Sequence, residues 1–184
     1  LKRLLLAKTR INEQYFPALA AFPKLEELNV AASRNVTDAG LVHIEKLTAL
    51  KRLDLSSTQL SNEGLKHIAK LTALENLQLG GIQKITNITS LTSLTNLSDI
   101  NLGSTGVTSD VTSTLKQLGK LKTINLSGNR NIRAEAIDEL KRAFPERAII
   151  PPTFQPRDPN NPGRGLNEDG VPPDAGLRDD GPRA

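Results

Sequence analysis

A six-position frame, L-x-x-L-x-L with Ile or Val admitted for Leu, recurs along this chain. It starts at Leu1, Leu25, Leu50, Leu74, Leu97 and Leu121, so successive starts lie 24, 25, 24, 23 and 24 residues apart. So regular a period marks a stack of equivalent units and sets aside folds built around one thick core. Within the frame, apolar and polar residues alternate, as in Leu53-Asp54-Leu55 and Leu77-Gln78-Leu79. That is the pattern of a strand with one buried face. Beyond the frame, apolar residues change to helical spacing: Leu41, Ile44 and Leu47 in one unit, Leu65, Ile68 and Leu71 in the next. One unit therefore reads as a short strand, a turn, and a helix or helical turn. It cannot close over its own apolar face, so neighbours must stack. Aromatic residues make up only 3% of the chain, so the layers must be filled by Leu, Ile and Val. Asp38 and Asn62 stand where a helix N-cap is wanted.

Leu50-Lys-Arg-Leu53-Asp-Leu55-Ser-Ser-Thr58-Gln-Leu60, followed by Ser-Asn-Glu-Gly64-Leu65, carries the fullest version of the motif. It resembles the leucine-rich-repeat family, in the subclass found in bacterial repeat proteins, and is also similar to the cysteine-containing repeats of F-box substrate receptors. The resemblance covers residues 1–150 and implies an α/β leucine-rich-repeat solenoid. About six repeats of 23–25 residues would form a curved parallel sheet of six strands, with helices or helical turns on the convex side. In the family, a polar residue after the strand bonds the turn backbone of its neighbour. Thr9, Ser33, Thr58, Thr105 and Asn129 hold that place here, while Ile82 departs from it. The same unit runs only 12 residues from Ile85 to Leu97 where the others run 14, which predicts a shortened or irregular helix. Ile137 to Phe144, stopped by Pro145, resembles a closing element over the last layer. The chain opens at Leu1 inside a repeat, which reads as a domain truncated at its N-terminus.

From Pro151 the pattern changes. Pro, Gly, Asp, Asn and Arg dominate residues 151–184, which hold 4 basic and 6 acidic residues against 20 and 14 in 1–150. Such a segment buries too little to offset its ordering entropy and is expected to be a disordered tail. Asp158 to Gly163, with Asp169, loosely resembles a calcium loop, but Pro162 occupies a ligand position, and a flexible linker is the better reading.

Little in the chain points to catalysis or cofactors. It has no cysteine, no phosphate loop, no dinucleotide fingerprint and no nucleophile elbow, so no enzyme activity and no cofactor are read from it. His43 and His67 sit at equivalent repeat positions, yet no third metal ligand lines up with them. Lys122, Arg130, Arg133, Lys141, Arg142 and Arg147 make the last unit basic. No aromatic residues are interleaved for base stacking, so nucleic acid is not an expected partner. No run is long and apolar enough to span a bilayer. The absence of cysteine lends no support to a secreted location.

What remains is the polar face of the strands. Its central column reads Leu5, Asn29, Asp54, Gln78, Asn101 and Asn125, and two residues earlier on each strand lie Arg3, Glu27, Arg52, Asn76, Asp99 and Thr123. The predicted protein-binding site is the middle of this face: Arg52, Asp54, Asn76, Gln78, Asp99 and Asn101. The function read from this is a protein–protein interaction scaffold. The alternative is a structural spacer, or a regulatory segment of a larger protein with an upstream catalytic or F-box-like domain. The face lacks Trp, Tyr and Phe, which favours modest affinity.

Overall fold

The computed structural model describes residues 1–152 in full, together with the backbone of 157–158 and 161–165. The first unit, Leu1–Pro152, is built on one parallel sheet. Its strands are β1 (Arg3–Leu5), β2 (Glu27–Asn29), β3 (Arg52–Asp54), β4 (Asn76–Gln78), β5 (Asp99–Asn101), β6 (Thr123–Asn125) and β7 (Ala148–Ile150), and they lie side by side in chain order. Each crossover carries helical structure. The α-helices are α1 (Asp38–Leu41), α2 (Asn62–Ile68), α3 (Val111–Gln117) and α4 (Ala134–Ala143). Glu13–Ala21, Ile44–Lys46 and Thr89–Ser93 are 3-10 turns. The solenoid is the expected one. The unit with the short Ile85–Leu97 interval holds Thr89–Ser93, a 3-10 segment with no α-helix.

The core follows the frame. Leu53, Leu55, Leu77 and Leu79 are buried, as are Leu25, Leu50, Leu74, Leu97 and Leu121. Ile82, which replaces the polar turn residue, is buried among them. At the N-terminal end Phe16 is fully buried and is the chief aromatic filler. Pro17 inside the Glu13–Ala21 segment helps keep that stretch from a regular α-ladder.

Each strand pairs over only three residues because the chain then turns sharply. Three positions past each strand end, the backbone enters the left-handed region: Lys8, Ala32, Ser57, Gly81, Ser104 and Gly128 all have positive φ. Two of the six are glycine, for which this conformation carries no steric penalty. In the turn that follows, Thr58 and Thr105 donate their hydroxyls to their own repeat, at Leu55 O and Leu102 O. Asn129 alone bridges backward among these buried turn residues: its Oδ1 accepts from Thr105 N–H at 2.9 Å and its Nδ2 donates to Leu102 O at 2.7 Å. The hydroxyls of Thr9, Thr58 and Thr105 thus tie their own turns, the buried Ser33 Oγ has no partner among the described residues, and the neighbour-to-neighbour bond implied by the family pattern is made at Asn129.

Two sequence expectations need correction. The sheet has a seventh strand beyond the six expected. β7 pairs with β6 in continued register, Thr123 with Ala148 and Asn125 with Ile150. It was hidden because Glu146 and Pro151 stand where the frame wants leucine, leaving only Ile149. The helix N-caps are also one residue earlier than expected, at Thr37 and Ser61. Asp38 and Asn62 instead reach forward to the next repeat. The Asp38 carboxylate accepts from Ser61 N–H at 2.9 Å and from the Ser61 hydroxyl at 2.5 Å. The Asn62 side-chain oxygen accepts from Thr86 and Asn87 N–H, and its amide donates to the Thr86 hydroxyl.

In the second unit, Arg157–Asp158 pairs antiparallel with Asn161–Gly165. The remainder of the expected disordered tail, including Asp169 of the calcium-loop pattern, lies outside the described residues.

The packing generates two predictions. Leu55→Ala or Leu126→Ala should lower unfolding free energy by about 2–5 kcal/mol, because each side chain fills one layer between fixed neighbours. Urea denaturation measures this, and a loss below about 1 kcal/mol would mean the site can collapse. The second concerns Gly64. A Cβ there would stand 2.3 Å from Asp38 Oδ1. Gly64→Ala should therefore push Asp38 off Ser61 and destabilise by about 1–3 kcal/mol. In a double-mutant cycle with Asp38→Ala the two losses should not add; additive losses would show that Gly64 is there for another reason.

Candidate protein-binding face

Parallel register sets the polar strand residues in straight columns across the sheet. Arg52, Asn76 and Asp99 are direct partners on β3, β4 and β5, and so are Asp54, Gln78 and Asn101. All six residues predicted from sequence therefore share one face, on three adjacent strands. Arg52 is exposed and the other five are half-buried between the buried residues of their strands. Leu5 and Ile150, both exposed, close the central column at its two ends.

These side chains also have partners within the fold. Arg52 donates through Nε and Nη2 to Glu27 Oε2, at 3.2 and 3.0 Å. Arg3 reaches the same carboxylate from the other side, with Nε 2.7 Å from Oε2. Glu27 was outside the predicted six although it lies in their column. The signal was the alternation of charge, Arg3, Glu27, Arg52. Hydrogen bonding from Arg52, helped by Arg3, holds the Glu27 carboxyl below the ordinary glutamate range despite its burial.

The central column has a second function. Asn29, Asp54, Asn101 and Asn125 each use Oδ1 to accept the backbone N–H two residues ahead, on Ala31, Ser56, Gly103 and Ser127, at 2.9–3.0 Å. This is the side-chain-to-backbone bond that Asx residues favour at turns. Asp54 and Asn101 are thus half committed to the fold and half free. Gln78 is the exception in the column: its longer side chain donates instead to Asn76 Oδ1 at 2.9 Å. Asp99 accepts from the Ser98 hydroxyl.

The other sequence candidates lie on the opposite side or at the end. His67 Nδ1 bonds the Glu45 carboxylate, whose other oxygen lies 2.7 Å from Lys70 Nζ. His67 and then Lys70 hold the Glu45 carboxyl below its ordinary range. Among the described residues no group of three or more His, Cys, Asp or Glu is placed to hold a metal ion. Part of the basic C-terminal end is structural: Arg147 donates to Gly119 O at 2.6 Å and lies over the Phe144 ring, 3.5 Å from its centroid. Among the described residues no helix is long and apolar enough to cross a membrane.

Comparison with known proteins gives the following. A family model described as a leucine-rich repeat matches residues 46–69. No curated protein matches significantly. An internalin (inlF) from Listeria monocytogenes has 25% identity and a TM-score of 0.57, over 68% of this chain and 35% of that one. An internalin C2 from the same species has 21% identity and a TM-score of 0.66, over 83% of this chain and 61% of that one. The ectodomain of the plant membrane receptor kinase GASSHO1/SCHENGEN3 from Arabidopsis thaliana was solved in complex with CASPARIAN STRIP INTEGRITY FACTOR 2. It has 22% identity and a TM-score of 0.56, over 77% of this chain and 17% of that one. The chain thus spans 17–61% of the length of these structures.

The Glu27 cluster predicts a pH dependence. A carboxylate whose pKa is depressed on folding stabilises the native state above the unfolded glutamate value of about 4.3. That contribution is lost as pH falls from there through the depressed native value. Glu27→Gln should therefore lower Tm by a constant amount at and above neutrality, with the difference closing as pH falls below about 4.3, so that the acid limb is flatter. Identical acid limbs in the two proteins would show that the ion cluster adds nothing to stability.

Proposed function

Since the chain is a leucine-rich-repeat solenoid, we propose that it is a scaffold that binds a protein partner across the strand face. The observation that carries this reading is the register of β3, β4 and β5, which gathers Arg52, Asp54, Asn76, Gln78, Asp99 and Asn101 on one surface. Several facts support it. The face lies on strands whose alternate side chains are buried, so little ordering entropy is lost when a partner docks. Seven strands at about 4.8 Å spacing span roughly 29 Å, enough for an extended segment or a helix. The fold is one generally used for interaction, and one similar structure was solved with a bound protein factor. The spacer or regulatory-segment alternative gains nothing from the comparisons. The missing aromatic anchor points to modest affinity unless the partner supplies its own.

The test is a photocrosslinking amino acid placed at position 78, or at position 66 on the helix side, in the cells that make the protein. Lys66 is exposed and, among the described residues, pairs with Glu63 of its own helix. Position 78 should capture a protein adduct. Changing Arg52 to Ala together with Asp54→Asn, which keeps the turn bond as Asn29 and Asn101 do, should then abolish capture without lowering Tm by more than a few degrees. Capture from position 66 alone would place the partner on the helical side and end this reading.

A further inference from the structure

The turns that follow the strands form one flank of the solenoid: residues 7–12, 31–36, 56–60, 80–85, 103–107 and 127–132. Backbone bonds hold these turns side by side. Lys8 N–H donates to Ala31 O, Ala32 to Ser56, Ser57 to Gly80, Gly81 to Gly103 and Ser104 to Ser127. The flank carries Lys8, Arg10, Arg34, Lys84 and Arg130, all exposed, and contains no Asp or Glu. None of the five side chains has a salt-bridge partner among the described residues, whereas Lys2, Arg3, Lys51 and Arg52 at the strands each meet a carboxylate. Acidic residues resume at the helix starts, and several are already engaged there. Glu13 accepts from the Thr37 hydroxyl, Asp38 from Ser61, and Glu63 pairs with Lys66. Asp110 and Glu135 line a cleft between α3 and α4 together with Arg133, which is therefore not counted with the flank.

One column of this flank is fixed by the repeat. The residue after each turn position of Thr9, Ser33, Thr58, Ile82, Thr105 and Asn129 is Arg10, Arg34, Gln59, Gln83, Gly106 and Arg130. Glycine is required at 106, where a Cβ would stand 2.4 Å from the Gln83 backbone oxygen. The other five are exposed, and Gln59 and Gln83 show that a neutral amide suits the turn. Nothing in the fold therefore asks for arginine at 10, 34 and 130. Like charges lined up without counter-charge attract an anion. With repeats about 4.8 Å apart at the sheet, the six positions span roughly 24 Å. That is the reach of about seven residues of extended chain. The exposed large apolar side chains, Leu1, Leu5, Tyr15, Val42 and Ile150, all lie off the flank. Nothing there inserts into a lipid layer, and no ring stacks on a base. The arginine forks match carboxylates, and the Gln59 amide can both donate to and accept from a peptide bond.

We propose that this turn flank is a second interaction surface, which takes an extended protein segment rich in Asp and Glu. Its carboxylates meet Arg10 and Arg34 at one end and Lys84 and Arg130 at the other, with the Gln59 amide between them. The surface goes beyond the strand-face reading: it lies on the turns, and it keeps its charge whether or not the strand face is occupied.

Fluorescent oligoglutamate titrated with the whole protein tests it. Binding should be measurable at low salt and should weaken as salt rises. Arg10→Gln, Arg34→Gln and Arg130→Gln together give the column the residue it already has at 59 and 83. They should weaken the probe about tenfold and leave Tm unchanged. Lys24→Gln, Lys46→Gln and Lys141→Gln remove the same charge from exposed positions elsewhere, and should weaken it less than about twofold. Arg52→Ala with Asp54→Asn should leave it unaffected. Equal losses from the two lysine and arginine triples would mean that net charge alone binds the probe, and the flank is no site. Loss on the strand-face variant instead would move the acidic segment to the strands and overturn the flank. Failure of oligoglutamate to bind at all would overturn the proposal as well. If heparin, duplex DNA or phosphatidylserine vesicles depend on the three arginines and bind more tightly than oligoglutamate, the surface stands in place but the acidic protein segment is wrong.

Discussion

The rest of the structure depends on one constraint: a repeat buries its leucines only against the repeats on either side of it. Leu53 and Leu55 are fully covered because the layers of β2 and β4 lie against them. No tertiary contact between distant parts of the chain substitutes for this. Everything else keeps the layers in phase. The sheet ladder does so at the strands, and it continues past them, with Ser57 N–H donating to Gly80 O and Ala32 N–H to Ser56 O. On the helical side Asp38 and Asn62 do so across α1, α2 and the segment beyond. A one-residue slip of any strand would turn its leucines to solvent and its polar residues inward, so the register is strongly specified.

This explains what was legible in the sequence. The period, the strands and the core could be read because stacking forces the same apolar positions to recur. Elements that escape the period were not legible in that way. β7 holds its place by backbone pairing and by Ile149, while Glu146 and Pro151 break the leucine frame. The N-caps at Thr37 and Ser61 were misplaced because a carboxylate or amide one residue later looks like a capping residue in a single repeat. Its true partner is in the following repeat, and only the three-dimensional stack brings Asp38 to Ser61. Gly64 was visible as part of the motif, but its reason, making room for that carboxylate, was not.

The candidate face was legible in position and only partly in role. Alternation placed the six residues on one side, and the structure keeps them there. What alternation cannot say is how much of each side chain is already used. Asp54 and Asn101 hold turns through one atom each, and Arg52 is bound to Glu27. Asn76 accepts from Gln78. A polar face built this way is stiff, since its side chains are anchored by the same bonds that end the strands. Stiffness lowers the entropic cost of docking, but it also removes hydrogen-bonding capacity from the surface.

The two demands meet in the central column, and its composition shows how they are balanced. An Asx residue satisfies the turn and leaves one oxygen or one NH2 free, so a column of Asn and Asp is structurally sound and chemically moderate. Replacing one member by glutamine costs the fold one turn bond of about 1 kcal/mol, because the extra methylene carries the amide past its N–H. The same replacement leaves the Gly80 N–H without an acceptor among the described residues, at the middle of the sheet. Stability alone would favour asparagine at every such position, as at Asn29, Asn101 and Asn125. Glutamine at position 78 is the departure, and it falls between the two unpaired carboxylates of β3 and β5. The first turn shows the same loss for a different reason: Leu5 has no acceptor to offer, and the Ala7 N–H has none among the described residues.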